Sequence, residues 1–445
     1  MKARVRRGCA TVEELKTAVR KEKKHLQGGA SSDSTTANYY PRWIRINNIC
    51  TSLEKQLKST FSSYRRVDSL ALLAQEENKV VYVDAHIPDL VAVPPGIDFS
   101  NSTAYKNGEI ILQDKASCFP AYLLIGDADD QQPWQGDVID GCAAPGNKTT
   151  HLASLLHKQQ SNSRSRTHMN RKIFSMDASK PRSKTLQKMV SLAGADGIVT
   201  ILPGQDFLAV DPHDKRFANV TGLLLDPSCS GSGIVGRDDV PLLALPSPAK
   251  STGKKRKRGH EEKGNEVQRP PIHNILSSST DENDTPTAAS DPERLAKLSN
   301  LQARIVEHAL TFPSAMRITY STCSIHSVEN ERVVSRVLKT DVARRQGWRL
   351  LRRDEQCEGL RRWAYRGIRD NANVENGNMP VDSTDLSDSD LDACIRCWPG
   401  EEGLGGFFVA GFVRDEADEV QMNGNEANGD EDDDYVDEEW EGFSD

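Results

Sequence analysis

From Gly136 onward, short apolar runs recur and each is followed by a longer stretch with helical spacing: DVID (137–140), KIFSM (172–176), GIVTIL (197–202), TGLLLD (221–226) and MRITYS (316–321). Apolar segments of this length alternating with helices predict a parallel sheet wrapped by crossover helices, a doubly wound α/β core. Ahead of it, RWIRINN (42–48) and VVYV (80–83) read as strands of a small α+β module over residues 40–105. EIILQ (109–113) reads as a further apolar strand, and a helix is expected from about Ala116 to Leu124. In the first 24 residues nine Lys or Arg accompany Val12, Leu15 and Val19 at helical spacing, a basic helix joined to the module by a Gly/Ser/Thr linker from Gly28 to Asn38. Three polar stretches break the pattern: residues 245–290, a surface loop from Asn371 to Leu391, and the tail from Gly424 to Asp445. The expected organisation is therefore a basic helix and linker (1–39), a small α+β module (40–105), a catalytic domain (106–414) with a disordered insert at 245–290, and an acidic disordered tail (415–445).

Composition adds to this picture mainly by where it is uneven. A hydrophobic content of 37% and a mean hydropathy of −0.59 are low for a folded chain, which fits polar segments diluting an ordinary core. The net charge of −8 hides an asymmetry: residues 415–445 hold 15 acidic residues and no Lys or Arg, leaving +7 on the 414 residues before them. A basic body tolerates a polyanion. Nine unevenly spaced Cys, no recognisable signal peptide and no apolar run of membrane-spanning length predict a reduced, soluble, intracellular protein without a membrane partner. KKRKR at 254–258 is the densest basic run and reads as a nuclear-import signal.

The sharpest chemical segment is VIDGCAAPGNKTTHLA, Val138 to Ala153. A strand ends at Asp140, a tight turn of small residues follows, and a helix begins near Lys148, so backbone N–H groups can approach a ligand at the positive end of the helix. The G-x-G-x-x-G of dinucleotide sites is absent, and the P-loop spacing fails. Acidic residues stand at the ends of the next two strands, Asp177 and Asp206, where a carboxylate can accept hydrogen bonds from ribose hydroxyls or an adenine amine. LLLDPSCSGSG (223–233) and ITYSTCSIHSVENE (318–331) then each place a Cys, Cys229 and Cys323, just beyond an apolar strand. One such Cys is ordinarily a packing thiol. Two of them in small-residue loops at the carboxyl edge of one sheet point to chemistry.

CAAPGNK, DPSCSGSG and YSTCS in this order, with ILQDKASCFPA (111–121) ahead and GGFFVAGF (405–412) behind, resemble the Nop/Sun family of RNA (cytosine-5)-methyltransferases. The match covers residues 40–245 and 295–414. Most of that family has a second Gly where this chain has Asn147, and CAAPGNK together with QDKASC resembles the subfamily acting on large-subunit ribosomal RNA. The resemblance implies a Rossmann-like core of seven strands, the last antiparallel, with S-adenosyl-L-methionine as cofactor. It assigns the cofactor to Cys142, Ala143, Ala144, Pro145, Gly146, Asn147 and Lys148, with Asp177 on the ribose, Arg182 at a basic family position and Asp206 near adenine. By the same resemblance Asp226 sits beside the target base, and Lys148 can reach the same edge. Cys323 is the nucleophile and Cys229 assists product release, whereas DNA cytosine methyltransferases use a Pro-Cys nucleophile at the earlier position.

Cytosine C5 is a poor nucleophile, and thiolate attack on C6 turns the ring into an enamine that accepts a methyl group, after which a second thiol is useful for releasing the product. His326 is read as a surface residue rather than a base. Cys394 and Cys397 form half of a zinc pattern without a second half, so no metal is expected. The resemblance further implies a monomer working on ribosomal RNA or a pre-ribosome in the nucleus and nucleolus, with some shortening of the N-terminus relative to the family. Its competitors are the same reaction on transfer RNA and a ribosome-assembly factor that only binds RNA; the intact cysteines, Asp226 and CAAPG argue against the latter.

Overall fold

A computed structural model describes residues 39–75, 79–127, 133–162, 171–234, 291–369 and 385–414. The basic N-terminal segment, the linker, the insert with KKRKR and the acidic tail lie outside the described residues. The small module is a five-stranded sheet built from β1 (Arg42–Ile46), β2 (Arg65–Val67), β3 (Val80–Val83), β4 (Leu90–Val93) and β5 (Ile110–Leu112), in the order β2-β3-β4-β1-β5. Helices α1 (Leu53–Lys58) and α2 (Leu70–Gln75) lie within it. The strand expected ahead of the catalytic core belongs here instead: β5 pairs antiparallel with β1, Ile44 opposite Leu112 and Ile46 opposite Ile110. The module's sheet thus runs past residue 105: Ile110 packs in this sheet's own core with Ile44, Ile46 and Val91, while Ile111 faces the cluster shared with the second sheet.

After α3 (Lys115–Ile125) the chain enters the second sheet. Its strands are β6 (Asp137–Asp140), β7 (Ile173–Asp177), β8 (Val199–Pro203), β9 (Val220–Leu225), β10 (Arg317–Thr322), β11 (Trp348–Leu350), β12 (Ile395–Cys397) and β13 (Phe407–Arg414). They lie in the order β11-β13-β10-β9-β6-β7-β8, with β12 added on β13. β6 to β10 are parallel and β13 runs antiparallel to β10, so the doubly wound core with an antiparallel final strand is as expected, its five parallel strands within a residue or two of the predicted runs, while β11 had no predicted run. The short β12 is an eighth strand that the sequence did not announce. The last residues of the predicted 371–391 loop are helical instead: Ser387 caps a turn at Asp388–Ala393, and Leu391 is buried.

The central parallel strand β9 carries an unbroken apolar run because both its faces are covered; Leu223, Leu224 and Leu225 are all fully buried. Helices α4 (Asn147–Asn162), α5 (Lys180–Leu192), α6 (Pro292–Leu310) and α7 (Glu331–Leu338) supply the cover. α6 starts at Asp291, whose side chain accepts from the Glu293 N–H, and buries Leu295, Gln302, Ala303, Val306 and Leu310 on one stripe. β6 pairs with β7 on one side and β9 on the other, which makes the carboxyl ends of these strands a topological switch point, the usual place for a ligand in such a sheet.

A polar cluster fixes the small module to the core. The Lys115 ammonium, wholly buried, lies 2.8 Å from Asp84, 3.0 Å from Glu402 and 3.1 Å from the His86 Nδ1, with the Trp363 and Trp43 rings at 4.9 and 5.4 Å. Burial works against its charge, but the two carboxylates outweigh it and hold its pKa above the ordinary lysine value. Nearby, the buried Arg45 of β1 donates to Gln113 at 2.7 Å and to Thr150 in the first turn of α4 at 2.9 Å. Among the described residues no helix is long and apolar enough to cross a membrane.

Candidate active site

Three loops meet at the switch point. The first, Gly141 to Gly146, leaves β6 and is stitched to both neighbours: the Gly141 N–H donates to Leu224 O (3.0 Å) and the Ala143 N–H to Met176 O (2.8 Å). Gly146 has φ +116°, and a Cβ there would stand 3.0 Å from the Met189 Cβ, so this corner requires glycine. Asp177, at the end of β7, accepts from the Ala144 N–H (3.3 Å) and the Ser179 N–H (2.9 Å). Arg182 donates to Ala144 O at 2.7 Å and lies 3.5 Å from Asp177. Both residues therefore brace the loop from the second strand. Asp206 is exposed and caps the turn after β8 by accepting from the Leu208 N–H.

Buried polar atoms without partners mark the two ends of this loop: Asp140 Oδ1 and Asn147 Oδ1. Burial pushes the Asp140 carboxyl up to about 7, only partly opposed by the hydrogen bond from Thr149. Cys142 is likewise pushed up by burial, which suits a lining thiol rather than a nucleophile. A glycine-cornered loop at a helix start, unpartnered polar atoms at its ends and carboxylates at successive strand ends form a donor and acceptor set that fits a nucleoside carrying a charged amino-acid end.

Lys148 reaches the edge held by Asp226. Its ammonium lies against Asp226 (2.8 Å) and Ser117 (3.2 Å), over the Phe407 ring at 5.5 Å. Burial opposes its charge, but Asp226 above all, with Cys323 and Asp140, keeps the pKa raised. The other Asp226 oxygen accepts from the Ser321 hydroxyl at 2.7 Å.

The second and third loops carry the thiols. Cys229 Sγ and Cys323 Sγ lie 3.0 Å apart, although the residues are 94 positions apart in the chain. Glycine lets the loops close: the Gly233 N–H donates to Cys323 O (3.0 Å), the Gly406 N–H to Gly233 O (2.7 Å), and a Cβ on Gly233 would fall 2.1 Å from Gly406 O. The Cys323 loop is pinned further by Thr322 on Asn330 and by Asn330 on Ser324 O. Arg396 of β12 grips Glu331 through two 2.6 Å hydrogen bonds, both side chains fully buried, and donates to Ile325 O.

Glu329 is fully buried on the opposite side of the pair, accepting from the Ser230 N–H, the Ser230 hydroxyl and Gln302. The two thiols differ in their surroundings. Cys323 is held below the ordinary cysteine value, chiefly by the hydrogen bond from Cys229 and further by Lys148, while Cys229 is held well above it by the same bond, by burial and by Glu329.

The structure thus gathers Cys323, Cys229, Asp226 and Lys148 into one cluster, and Cys142 to Asn147, Asp177 and Arg182 into a neighbouring one. Ser321, Glu329, Gln302, Ser117 and Phe407 were missed; of these Glu329 carried a signal, a carboxylate six residues beyond a candidate nucleophile. His326 is partly buried rather than on the surface, and its Nε2 has no hydrogen-bond partner. Cys394 and Cys397 are buried at β12, and among the described residues no group of three or more His, Cys, Asp or Glu could hold a metal ion.

Comparison with known proteins matches residues 40–113 to the NOL1/NOP2/Sun domain family member 5 ferredoxin-like domain and residues 129–250 to 16S rRNA methyltransferase RsmB/F. A 26S rRNA (cytosine-C(5))-methyltransferase of Caenorhabditis elegans is 30% identical over 424 residues, covering 93% of this chain and 77% of the relative. A 25S rRNA (cytosine-C(5))-methyltransferase of Schizosaccharomyces pombe is 35% identical, and a 28S rRNA (cytosine-C(5))-methyltransferase of Mus musculus 32%, over 83% and 87% of this chain. The chain spans 62% and 65% of the length of those two relatives. Among solved structures, a methyltransferase homolog protein from Pyrococcus horikoshii shares the fold with a TM-score of 0.53 at 18% identity, over 86% of this chain and 88% of that one.

Proposed function

Since this chain belongs to the NOL1/NOP2/Sun family of RNA (cytosine-5)-methyltransferases, we propose that it methylates C5 of a cytosine in large-subunit ribosomal RNA through a covalent bond from Cys323 to C6. The observation that carries this reading is the sulfur pair, 3.0 Å apart at the ends of adjacent parallel strands, flanked by the Lys148–Asp226 ion pair. S-Adenosyl-L-methionine, when bound, supplies an electrophilic methyl group on a sulfonium. Cys142, Ala143, Ala144, Pro145, Gly146 and Asn147 would hold its amino-acid and ribose end, with Asp177 and Arg182 bracing that loop and Asp206 toward the adenine.

The Cys323 thiolate forms the bond to C6, and the C5–C6 π electrons move toward C5, which becomes the nucleophile. Asp226 accepts from donors on Ser321 and Lys148, so it faces the base as a negatively charged acceptor for the exocyclic amine. Lys148 offsets the charge that develops on the ring. Once C5 carries the methyl group, the C5 proton leaves to a base, the electron pair re-forms the C5–C6 double bond and the Cys323 thiolate departs. Cys229, beside the departing sulfur, assists this elimination as a base or proton relay. The division into a small α+β module that contacts RNA and a catalytic core, action as a monomer, and residence in the nucleus and nucleolus are part of the same proposal.

The two cysteines fail differently if this is right. Cys323→Ala should give neither methylation nor an RNA adduct. Cys229→Ala should trap a denaturation-resistant protein–RNA adduct that the double variant lacks. Denaturing gels with ribosomal RNA and the methyl donor read all three, and an adduct from Cys323→Ala but not from Cys229→Ala would move the nucleophile to the earlier loop.

A further inference from the structure

Nothing in the sequence motifs gives Glu329 a task, yet its carboxylate reaches both flanks of Cys229. It accepts from the Ser230 N–H at 2.9 Å on the residue that follows the thiol, and from Gln302 Nε2 at 3.0 Å, which itself donates to Ser228 O on the residue that precedes it. A third donor, the Ser230 hydroxyl, sits at 2.6 Å and belongs to a triangle with Ser232 and Ser324, each edge 3.1 to 3.2 Å. All three bonds that end on the Glu329 carboxylate, from the Ser230 N–H, the Ser230 hydroxyl and Gln302, are donated to it, the role of an ionised carboxylate. Glu329, Gln302 and Ser324 are fully buried, so little water screens the charge. At the other end of the sulfur pair, the Lys148 ammonium reaches Asp226 beside Cys323.

We infer that Glu329 is a positioning residue that polarises the thiol pair against Lys148, so that negative charge collects on Cys323 and the proton stays on Cys229. The charged or titratable groups facing Cys229 are Cys323, Glu329, Asp226 and Tyr320, whose hydroxyl is buried and donates to Glu329 O; those facing Cys323 are Cys229, Asp226 and Lys148. Asp226 repels charge on both sulfurs and cannot choose between them. Glu329 stands among the principal influences on Cys229 and Lys148 among those on Cys323, which agrees with the opposite displacement of the two thiols. The inference deepens the proposed reaction, because it says why the later cysteine attacks while the earlier one keeps its proton.

The polarity can be measured without RNA or methyl donor, so its failure is separable from failure of the methylation reading. The full-length protein is treated with iodoacetamide over a pH series, and modification at Cys229 and Cys323 is quantified separately by peptide mass spectrometry. In the unaltered protein Cys323 should react first, by at least about tenfold near neutral pH, the equivalent of one unit between the thiols. Glu329→Gln should bring the Cys229 midpoint to lower pH and collapse that ratio toward one, and Glu329→Asp should restore part of it. Lys148→Met should raise the Cys323 midpoint while leaving that of Cys229 in place. A folded Glu329→Gln protein with an unchanged ratio would overturn the assignment. So would faster modification of Cys229 in the unaltered protein. Should Glu329→Gln not fold, an unchanged ratio in Lys148→Met overturns it equally.

Discussion

Lys115, buried, and Lys148, half-buried, are both lysines paired with carboxylates, and only one of them stands at a reactive centre. Lys115 is saturated: two carboxylates, an imidazole nitrogen and two indole faces surround it, and its side chain has no exposure. Lys148 and its partner Asp226 keep 13% and 28% exposure and share their space with Cys323. Burial and charge pairing are therefore poor guides to chemistry by themselves. What separates the two clusters is an opening through which a third party can reach the pair, and a nucleophile beside it.

The comparison breaks most visibly in the effects of removing each ammonium. Lys148→Met should lower methyl transfer by roughly 10²- to 10³-fold. Its cost in urea unfolding should stay near about 1 kcal/mol, because partly exposed Asp226 can be rehydrated. Lys115→Met should do the reverse, leaving Asp84 uncompensated inside the protein at a cost of about 3 to 5 kcal/mol while turnover per folded molecule is nearly kept. If the Lys115 variant unfolds no more easily than the unaltered protein, the cluster is not the fastening described above.

A pH series sharpens the contrast. Asp140, beside Lys148, has its carboxyl raised from 3.8 to about 7 by burial. The folded state then binds more protons than the unfolded chain between these values, so stability should fall as pH rises from about 4 to 7, by something on the order of a few kcal/mol. Asp140→Asn should flatten that slope in chemical unfolding; an unaltered slope would place its origin elsewhere. In the Lys115 cluster the sign is opposite and the effect smaller. Burial, then Lys115, holds His86 below its ordinary value, so the unfolded chain takes up the proton first as pH drops through about 6.5 and stability declines on the acid side. His86→Gln should remove this acid-side loss, read as a shallower fall of the melting temperature between neutral pH and pH 5.5.

The core and the reactive loops were legible because their signals are local. An apolar run such as Leu223 to Leu225 reports burial on both faces of a strand, and CAAPGNK needs only adjacent residues to state a turn. Outside the cysteine motifs, clusters that join distant segments were not legible. Lys115 meets Asp84 and Glu402, 31 and 287 positions away, and Gln302 meets Ser228 across 74, distances at which no periodicity carries information. The strand at 110–112 was recognised as a strand but placed with the wrong sheet, since an apolar run does not say which edge it will pair with. Lys148 was located at the helix start by its spacing, but which of its two expected places its side chain takes is decided by Asp226, 78 residues on.

The meeting of Gly233 with Gly406 bears on how the protein comes into being. Both cysteines have been synthesised by residue 323, but the loop of the first is closed by the backbone of Gly406, and the strand between β10 and β11 begins only at Phe407. A growing chain thus passes through some eighty residues of elongation after Cys323, several seconds or more at ordinary translation rates, before the Gly233–Gly406 contact can form. The clasp on the Cys229 loop is supplied just ahead of the last strand to enter the sheet, so a chain that ends before Gly406 holds both cysteines and their Gly233–Cys323 bond but lacks that closing contact.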